Sequence, residues 1–531
     1  MNTKIITVAL GLIVSARLSA QETYLNAAIA TEGLDGTARY VGMGGAMDAL
    51  GADLSTISGN PAGIGLFRSS QARVSFGLVS QEDVTSFGGV DKTRMSFDQA
   101  GFVYSMRTGR QSFINIALNY HKNTNFGQIL SAASALSGAS QNKQSYVKGA
   151  NGLFELDTNT DGVILGYEGS GNNVSNLFNA SDYVYYNALL SEENGNGGFD
   201  YFYNDATGYV FNRAHSGYIG NYDINLSGNC NDRIYWGLTF GISDVHYNAY
   251  SQYTEQLVDG QNTSVGSITM TDDRRITGTG FNIKAGAIVR PVADSPFRLG
   301  VSIASPTFYD LTSSYYTRLD NSTSVGRFDY GEHSDAYDFR LNTPWKFGLS
   351  AGTTIENCLA LGAVYEYADY GSLDTRIKSG DYRDWDGYYH SSSSSDRLMN
   401  SATKQTLKGV STLKVGAEFR PDPSLAVRLG YNYVSPMYKT NAERGVLVNS
   451  VSNAYTSTTD YTNWKATNRI TCGLGYTVDK FTIDLAYQYS KQEGEFHPFS
   501  NYSSGDVYNY AEGVKVSNAQ HQVLMTLGYA F

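Results

Sequence analysis

The last eleven residues of the chain alternate between large apolar side chains and smaller or more polar ones. One parity carries Val523, Met525, Leu527, Tyr529 and Phe531, and the other carries Gln522, Leu524, Thr526, Gly528 and Ala530. Successive side chains of a strand point to opposite faces. The pattern therefore predicts a strand with one apolar face that ends in aromatic residues.

The same alternation recurs along most of the chain and predicts about fourteen strands. We place them at residues 72–80, 96–107, 111–123, 217–228, 232–250, 274–290, 296–316, 336–354, 358–370, 406–420, 424–438, 464–478, 480–491 and 518–531. The face opposite the apolar one includes Asn115, Glu366, Arg428 and Asp484. A barrel would turn this face toward a polar lumen, whereas a secreted β-sandwich would expose it to water. Periodicity alone leaves both interpretations open.

The lengths of the connections favour the barrel. Short links (108–110, 229–231, 291–295, 355–357, 421–423 and 479) alternate with long ones (81–95, 124–216, 251–273, 317–335, 371–405, 439–463 and 492–517). An even number of strands with short turns on one side and long loops on the other is typical of membrane-spanning barrels. We therefore predict an all-β fold, a membrane-spanning antiparallel barrel over residues 72–531 with a large extracellular loop at 124–216.

The amino terminus predicts export. Lys4, the apolar run 5–14 and the small residues before Gln21 form a secretory signal peptide over residues 1–20. Cleavage would remove Lys4 and Arg17, which changes the formal net charge from −11 by two units to −13. An exported, acidic chain argues against nucleic acid as a partner.

Composition agrees with a barrel in lipid. The chain has 41 Tyr, 24 Phe and 56 Gly, and no stretch of the mature sequence reaches the roughly 18 apolar residues of a membrane-spanning helix. The three cysteines, at 230, 358 and 472, are an odd number. We interpret Cys358 and Cys472 as buried structural thiols rather than as a disulfide framework.

Residues 21–71 are not strand-like and are rich in small residues. Gly42, Gly44 and Gly45 precede the motif Asn60-Pro61-Ala62-Gly63, in which Asn60 is suited to closing a turn. Met47, Leu50 and Leu54 have the spacing of one face of a short helix. A compact plug within a lumen would need such close packing, and an ordinary glycine-rich connector is the alternative.

This segment, together with the strand count and the terminal Phe531, resembles the FadL/TodX family of outer-membrane transporters for hydrophobic compounds. The resemblance implies a fourteen-stranded barrel with an amino-terminal hatch formed by residues 21–71, in the outer membrane of a Gram-negative bacterium. It implies a monomer, insertion by the outer-membrane assembly machinery through Phe531, and contact with membrane lipid and lipopolysaccharide. The large insert and the tyrosine content are similar to Bacteroidetes versions that are often labelled haemin receptors.

The same resemblance implies a function. Hydrophobic small molecules such as long-chain fatty acids would be taken up passively, the hatch would shift, and the ligand would leave sideways into the membrane. The hatch residues Gly42, Gly44, Gly45, Asn60, Pro61, Ala62 and Gly63 would then form the gate. The alternative is a FadL-like docking platform of a secretion or surface-assembly system.

Apolar residues of the large loop are candidates for an outer capture site. They are Ile129, Leu130, Leu136, Leu177, Phe178, Leu189 and Leu190. The alternative is that they pack the loop's own helices, one of which we predict near residues 174–190. The two roles do not exclude each other.

Other chemistry is sparse. The seven histidines are scattered without metal-site spacing, so we expect no enzyme and no resident cofactor. Residues 157–168 do match the calcium-loop pattern, with Asp157, Asn159, Asp161 and Glu168 as ligands. Glycines on both sides argue against flanking helices, and an Asp/Asn-rich turn is the simpler interpretation.

Overall fold

The computed structural model describes residues 22–159, 162–166, 178–195, 198–292, 294–325, 329–334, 336–356, 358–445, 448, 450–504 and 507–531. The predicted signal peptide at 1–20 lies outside these residues. Among them, none of the helices is long and apolar enough to cross a lipid bilayer.

The strands, in chain order, are β1 (Gln71–Gln81), β2 (Thr93–Arg107), β3 (Phe113–Asn125), β4 (Gln128–Ala139), β5 (Glu155–Asn159), β6 (Gly162–Gly166), β7 (Ser191–Glu193), β8 (Phe199–Tyr201), β9 (Asp205–Cys230), β10 (Ile234–Val258), β11 (Ser264–Val289), β12 (Arg298–Ala304), β13 (Phe308–Thr323), β14 (Tyr330–His333), β15 (Tyr337–Asn342), β16 (Lys346–Ile355), β17 (Leu359–Asp369), β18 (Asp374–Arg383), β19 (Tyr389–Ser395), β20 (Gly409–Asp422), β21 (Leu425–Val434), β22 (Tyr461–Val478), β23 (Phe481–His497), β24 (Tyr502–Ser504), β25 (Val507–Asn509) and β26 (Val514–Ala530).

The helices are α1 (Thr23–Ala30), α2 (Ala38–Gly42), α3 (Thr56–Gly59), α4 (Gln141–Ala150), α5 (Ala180–Ala188) and α6 (Arg397–Thr406). Short 3₁₀ helices cover Pro61–Leu66, Tyr370–Ser372 and Val451–Tyr455.

Fourteen strands close into one antiparallel barrel. Its pairing order is β1, β2, β3, β9, β10, β11, β12, β16, β17, β20, β21, β22, β23 and β26, and β26 pairs back onto β1. Closure gives each of these fourteen strands a partner on both sides, which is the condition for crossing lipid with strands. The predicted fold class and strand number are confirmed.

The outer face of the wall carries an apolar belt. On β10 the exposed residues Ile234, Trp236, Leu238, Phe240 and Ile242 follow one parity, and the next outward positions are polar, beginning at Asp244. The belt is nine residues long on this strand, close to the roughly 9–11 residues that a membrane-spanning strand requires. The barrel therefore spans a membrane, and β9, β10 and β11 continue well beyond it.

The inner face is polar, as predicted. Asn115, Glu366, Arg428 and Asp484 are all buried inside the barrel, with exposures of 0 to 9%. The predicted burial of Cys358 and Cys472 is wrong: Cys472 is exposed on the apolar belt, and Cys358 is half-buried.

Two predicted strands, 296–316 and 336–354, are each broken in two. The first is interrupted between β12 and β13, at Pro306, and the second between β15 and β16, at Pro344. Proline lacks the N–H that a ladder needs and ends regular pairing. The predicted loop 124–216 also contains regular structure, since it holds β4 to β8, α4 and α5, and β9 begins at Asp205.

Candidate functional site

The amino-terminal segment lies inside the barrel. Its helix α2 contacts β21, β22, β23 and β26, and its 3₁₀ helix Pro61–Leu66 contacts β3, β9, β10 and β11. Met43, Met47 and Leu54 have no exposed surface. Residues 38–66 are called the hatch core here.

The short helix predicted from Met47, Leu50 and Leu54 is not formed. Residues 43–50 are turns between α2 and α3. Gly44 and Gly45 adopt φ of 62° and 79°, values that end a right-handed helix and that glycine adopts readily. The apolar spacing instead reflects burial of all three side chains against the wall.

Asn60, in the Asn-Pro-Ala motif, connects the hatch core to the wall. Its side-chain N–H donates to the carbonyls of Ala287 (3.4 Å) and Val301 (3.3 Å), and its side-chain oxygen accepts from the N–H of Ala62 (3.1 Å). Pro61 begins the 3₁₀ helix, where the missing N–H of proline is of no consequence. This geometry is an anchor, and a gating role for the motif stays a prediction.

A row of wall glycines forms the seat of the hatch core. Gly352 pairs with Gly362, Gly362 with Gly416, and Gly416 with Gly430 on four consecutive strands. A Cβ at Gly362 would lie 1.9 Å from the carbonyl oxygen of Ala46, and one at Gly416 would lie 2.2 Å from that of Met43. The main chain of the hatch therefore touches the main chain of the wall, and this glycine row was not found from the sequence.

Buried ion pairs hold the same part of the hatch. Arg39 binds Glu418 (Nε to Oε2, 2.9 Å), and Glu418 also accepts from Arg428 (2.7 Å), which reaches Asp484 (2.6 Å). On the opposite side Asp53 of the hatch binds Arg73 of β1 (3.1 Å). Separating such pairs would leave charges buried without partners, which is costly.

Residues 31–35 link α1 to the hatch core and, unlike the hatch core, border open cavities. This crossing segment separates an outer cavity of about 340 Å³ from an inner cavity of about 120 Å³, and it lines both. It is tied to β3 by two hydrogen bonds, from the N–H of Gly33 to the Asn123 carbonyl (2.8 Å) and from the Thr124 hydroxyl to the Thr31 carbonyl (2.7 Å). Glu32 forms an ion pair with Lys346.

The outer cavity has an aromatic side and a charged side. Tyr24 of α1 stacks on Tyr438 (ring centroids 5.0 Å apart) and packs against Tyr461 (5.3 Å). The charged side includes Arg213, paired with Asp460, and Arg274. The cavity thus offers apolar ring surface facing buried charge.

Two acidic groups of the amino-terminal segment respond to this environment in opposite ways. Burial raises the pKa of Glu22, and the charge of Arg274 offsets only part of this increase. Burial also acts to raise the pKa of Glu32, but the adjacent Lys346 outweighs it and lowers the value to about 2. Glu32 is therefore held as a carboxylate.

The wall beside the crossing segment is interrupted. The ladder between β2 and β3 ends at Gln99 and His121, and both strands bulge there, β2 opposite Ser75 and Phe76, and β3 between Lys122 and Thr124. Bulges bend a strand and end its pairing. The side chain of Lys122 fills the resulting gap and contacts Ser96, with Asp98 3.9 Å away. This place is called the β2–β3 split.

The capture residues predicted in the large loop are found in its packing core. Leu130, Leu189 and Leu190 are at most 4% exposed and belong to one buried cluster, against which Leu136 and Phe178 pack. Ile129 belongs to a second cluster with Val90 and Ala214. Packing of the loop is therefore their observed role. Leu177 lies outside the described residues, and capture of a ligand stays a prediction.

The predicted calcium loop is only partly described. The backbone of 155–159 pairs with that of 162–166 as a β-hairpin, while Asp161 and Glu168 lie outside the described residues, as do the side chains of Asp157 and Asn159. The calcium site stays a prediction. Two histidines lie toward the ends of strands that lead into long loops. His121 points inward and contacts Asp223 (Nδ1 to Oδ2, 3.0 Å), and His246 lies on the outer side with Asp244.

Comparison with known proteins gives a likeness of fold. No protein-family model and no curated protein matches the sequence. A crystal structure of a Pseudomonas aeruginosa FadL homologue matches with a TM-score of 0.50 and 12% identity, over 94% of this chain and 99% of that one. The toluene transporters TbuX of Ralstonia pickettii (TM-score 0.45, 13% identity) and TodX of P. putida (0.45, 12%) also match, each over 94% of this chain and 99% of its own. The chain has the fold of the FadL homologue.

Proposed function

We propose that this protein is an outer-membrane channel of a Gram-negative bacterium for the passive uptake of hydrophobic compounds such as long-chain fatty acids. The observation that carries the proposal is the outer cavity of about 340 Å³, which is bordered by the extracellular segments and by α1. The solved relatives named above, a FadL homologue and two toluene transporters, support the same class of function. The role is that of a channel and not of an enzyme.

The cavity lining supports an amphipathic ligand. The rings of Tyr24, Tyr438 and Tyr461 would contact an acyl chain or an aromatic ring. Arg213 and Arg274, both largely buried, would attract an acidic head group. A long-chain fatty acid combines these two features, and toluene has only the first.

Exit by a lateral route is part of the proposal. The hatch core sits on the wall through backbone contacts and buried ion pairs, which opposes its removal as a plug. The crossing segment has a cavity on each side and ends against β3 beyond the last β2–β3 pair. A shift of this segment would join the two cavities and uncover the split. Each CH₂ group returned to hydrocarbon gains about 0.8 kcal/mol, so passive release into the membrane is favourable.

Insertion through the terminal residue also belongs to the proposal. Phe531 is 61% exposed and packs edge-on against Phe102 (centroids 5.9 Å apart), while its backbone N–H donates to Ser70. We also propose that the protein is a monomer and that the outer-membrane assembly machinery recognises Phe531. Deletion of Phe531 should lower the yield of heat-modifiable barrel.

Uptake measurements test the function. Cells that produce the protein and cells with an empty vector would receive radiolabelled palmitate or toluene, and the initial uptake rates would be compared at equal barrel yield. The proposal expects faster uptake of at least one probe in the producing cells. If producing cells and empty-vector cells take up both probes at the same rate, the proposal is contradicted. The docking platform of a secretion or surface-assembly system would then be the better account.

A further inference from the structure

A ladder of aromatic rings lies on the outer face of the wall at the β2–β3 split. Phe97 of β2 stacks on Tyr120 of β3 (ring centroids 5.5 Å apart, 23° between planes), and Tyr120 contacts Tyr222 of β9 (5.1 Å). Phe97 and Tyr222 are 48% and 52% exposed. These three residues are called the aromatic ladder.

The ladder bridges the place where the two strands part. Phe97 lies beyond Gln99, the last residue of β2 that pairs with β3, whereas Tyr120 lies within the paired part of β3. The Phe97–Tyr120 stack is therefore a side-chain contact across the edge of the split. A Cβ at Gly220 would lie 2.8 Å from a ring carbon of Tyr120, so that ring lies flat on the backbone of β9.

The split itself is polar and its outer surroundings are not. Ser96, Asp98 and Lys122 fill the gap from inside, and burial of such groups against an apolar molecule is unfavourable. Immediately outside, the ladder offers ring faces at the level of Ile242, the uppermost apolar residue of the belt on β10. An apolar group that has passed the polar gap thus meets aromatic surface first.

We propose that the aromatic ladder is a release site, which binds the acyl chain or aromatic ring of the ligand as it leaves the split and passes it to the membrane. This inference rests on the proposed lateral uptake. Aromatic contacts of this type contribute about 0.5–1.5 kcal/mol each, and loss of one such contact corresponds to about a two- to tenfold change in rate.

The chain provides a matched control for an ordinary aromatic girdle, which barrels carry at both membrane interfaces. Tyr222 pairs with Ile242, Ile242 with Phe281, and Phe281 with Phe308, so these residues form one row around the wall. Phe281 and Phe308 are exposed, their rings lie 5.2 Å apart, and the β11–β13 ladder beside them has no register shift. Phe308 follows the interruption at Pro306, but pairing continues across it, since the N–H of Ser305 donates to the Ile283 carbonyl (2.9 Å) and that of Thr343 to the Thr307 carbonyl (3.1 Å). This control pair therefore has the height of the aromatic ladder, and its neighbouring strands stay paired.

The experiment compares Tyr120→Leu/Tyr222→Leu with Phe281→Leu/Phe308→Leu in cells, using radiolabelled palmitate and equal amounts of heat-modifiable barrel. The release site predicts an initial rate about two- to tenfold lower in the first variant only, and normal uptake in Tyr120→Phe/Tyr222→Phe, which keeps the rings. Phe97→Leu gives the same test if the double variant is poorly assembled. Equal loss in both double variants, or no loss in either, would overturn the release site. If the unmodified protein takes up toluene but not palmitate, the same variants are compared with radiolabelled toluene. If it takes up neither probe above empty vector, the proposed function fails, and the release site with it.

Discussion

Two parts of the barrel wall contact the amino-terminal segment in opposite ways. On β16, β17, β20 and β21 the glycine row removes every side chain at one level, so the hatch core lies directly on the wall backbone. On β2 and β3 the ladder ends early, both strands bulge, and a buried lysine fills the gap. The crossing segment is tied to this second part by two hydrogen bonds to β3.

The two parts of the wall are suited to different roles: the glycine row anchors the amino-terminal segment, and the β2–β3 split is where the wall could open. Contact through paired glycines and buried ion pairs has a high cost of separation, because polar groups would lose their partners in the interior. A segment with cavities on both sides has room to move. To move, it must break its two hydrogen bonds to β3, the bond from Gln522 to Asp35 and the Glu32–Lys346 ion pair, and it has none of the backbone-on-backbone contacts that the glycine row gives the hatch core. We therefore infer that the hatch core stays in place during uptake and that residues 31–35 move.

Disrupting the contact between the glycine row and the hatch core should have the largest effect on permeability. In Gly362→Ala the new Cβ would lie 1.9 Å from the Ala46 carbonyl oxygen, so the hatch core and the wall must move apart at this point. We expect increased single-channel conductance and greater sensitivity of cells to large antibiotics. The control is Gly528→Ala in β26, where the nearest atoms would lie at an ordinary 3.5 Å. Identical behaviour of the two variants would argue against the seat.

Removing the charged side chains in the β2–β3 split should have an intermediate effect, which is measured as the rate of uptake. Lys122→Met combined with Asp98→Asn replaces the polar filling by a flexible apolar chain without changing the net charge. Asp35 of the crossing segment, which also faces Lys122, keeps Arg469 and the hydrogen bond from Gln522. Initial palmitate uptake should rise a few-fold, because the ligand no longer passes charged groups. The matched control is Lys284→Met with Asp223→Asn, a buried pair at the same separation (3.9 Å) on β11 and β9, which is not part of the lining of either cavity. A comparable rise in the control would show that the location of the charge is irrelevant.

Loss of the Asn60 side chain should have the smallest effect. Asn60→Ala removes two long hydrogen bonds to the wall and one within the turn, each worth about 0.5–1.5 kcal/mol. Barrel yield should be unchanged, with a slight rise in conductance below that of Gly362→Ala. A complete loss of uptake in Asn60→Ala would identify the motif as the gate and would contradict its role as an anchor.

The wall was predictable from the sequence because alternation is a local property. The polar face at Asn115, Glu366, Arg428 and Asp484 follows from period two on each strand taken alone. The terminal strand likewise encodes its own lipid face. The interruptions at Pro306 and Pro344 were missed, although proline signals them, and Cys472 was wrongly predicted to be buried.

The site depends on register between strands, which the single-strand pattern does not determine. Gly352, Gly362, Gly416 and Gly430 form a row only after four strands are aligned. The split depends in the same way on bulges in two strands. The apolar side chains of Leu130, Leu189 and Leu190 were compatible with either ligand capture or packing of the loop. Their place in the core of the loop depends on its tertiary structure, which the sequence pattern does not give.

Disulfide locking of the two regions tests the account most directly. With Cys230, Cys358 and Cys472 replaced by alanine, Thr31→Cys/Thr124→Cys would tie the crossing segment to β3, where the Thr124 hydroxyl now donates to the Thr31 carbonyl at 2.7 Å. Ala38→Cys/Ala486→Cys would tie the hatch core to β23, where both alanines share one buried cluster. Palmitate uptake should stop in the oxidised first variant, return on reduction, and be unaffected by oxidation of the second. Uptake that persists in the locked first variant, or stops in the locked second, would contradict a fixed core with a moving crossing segment.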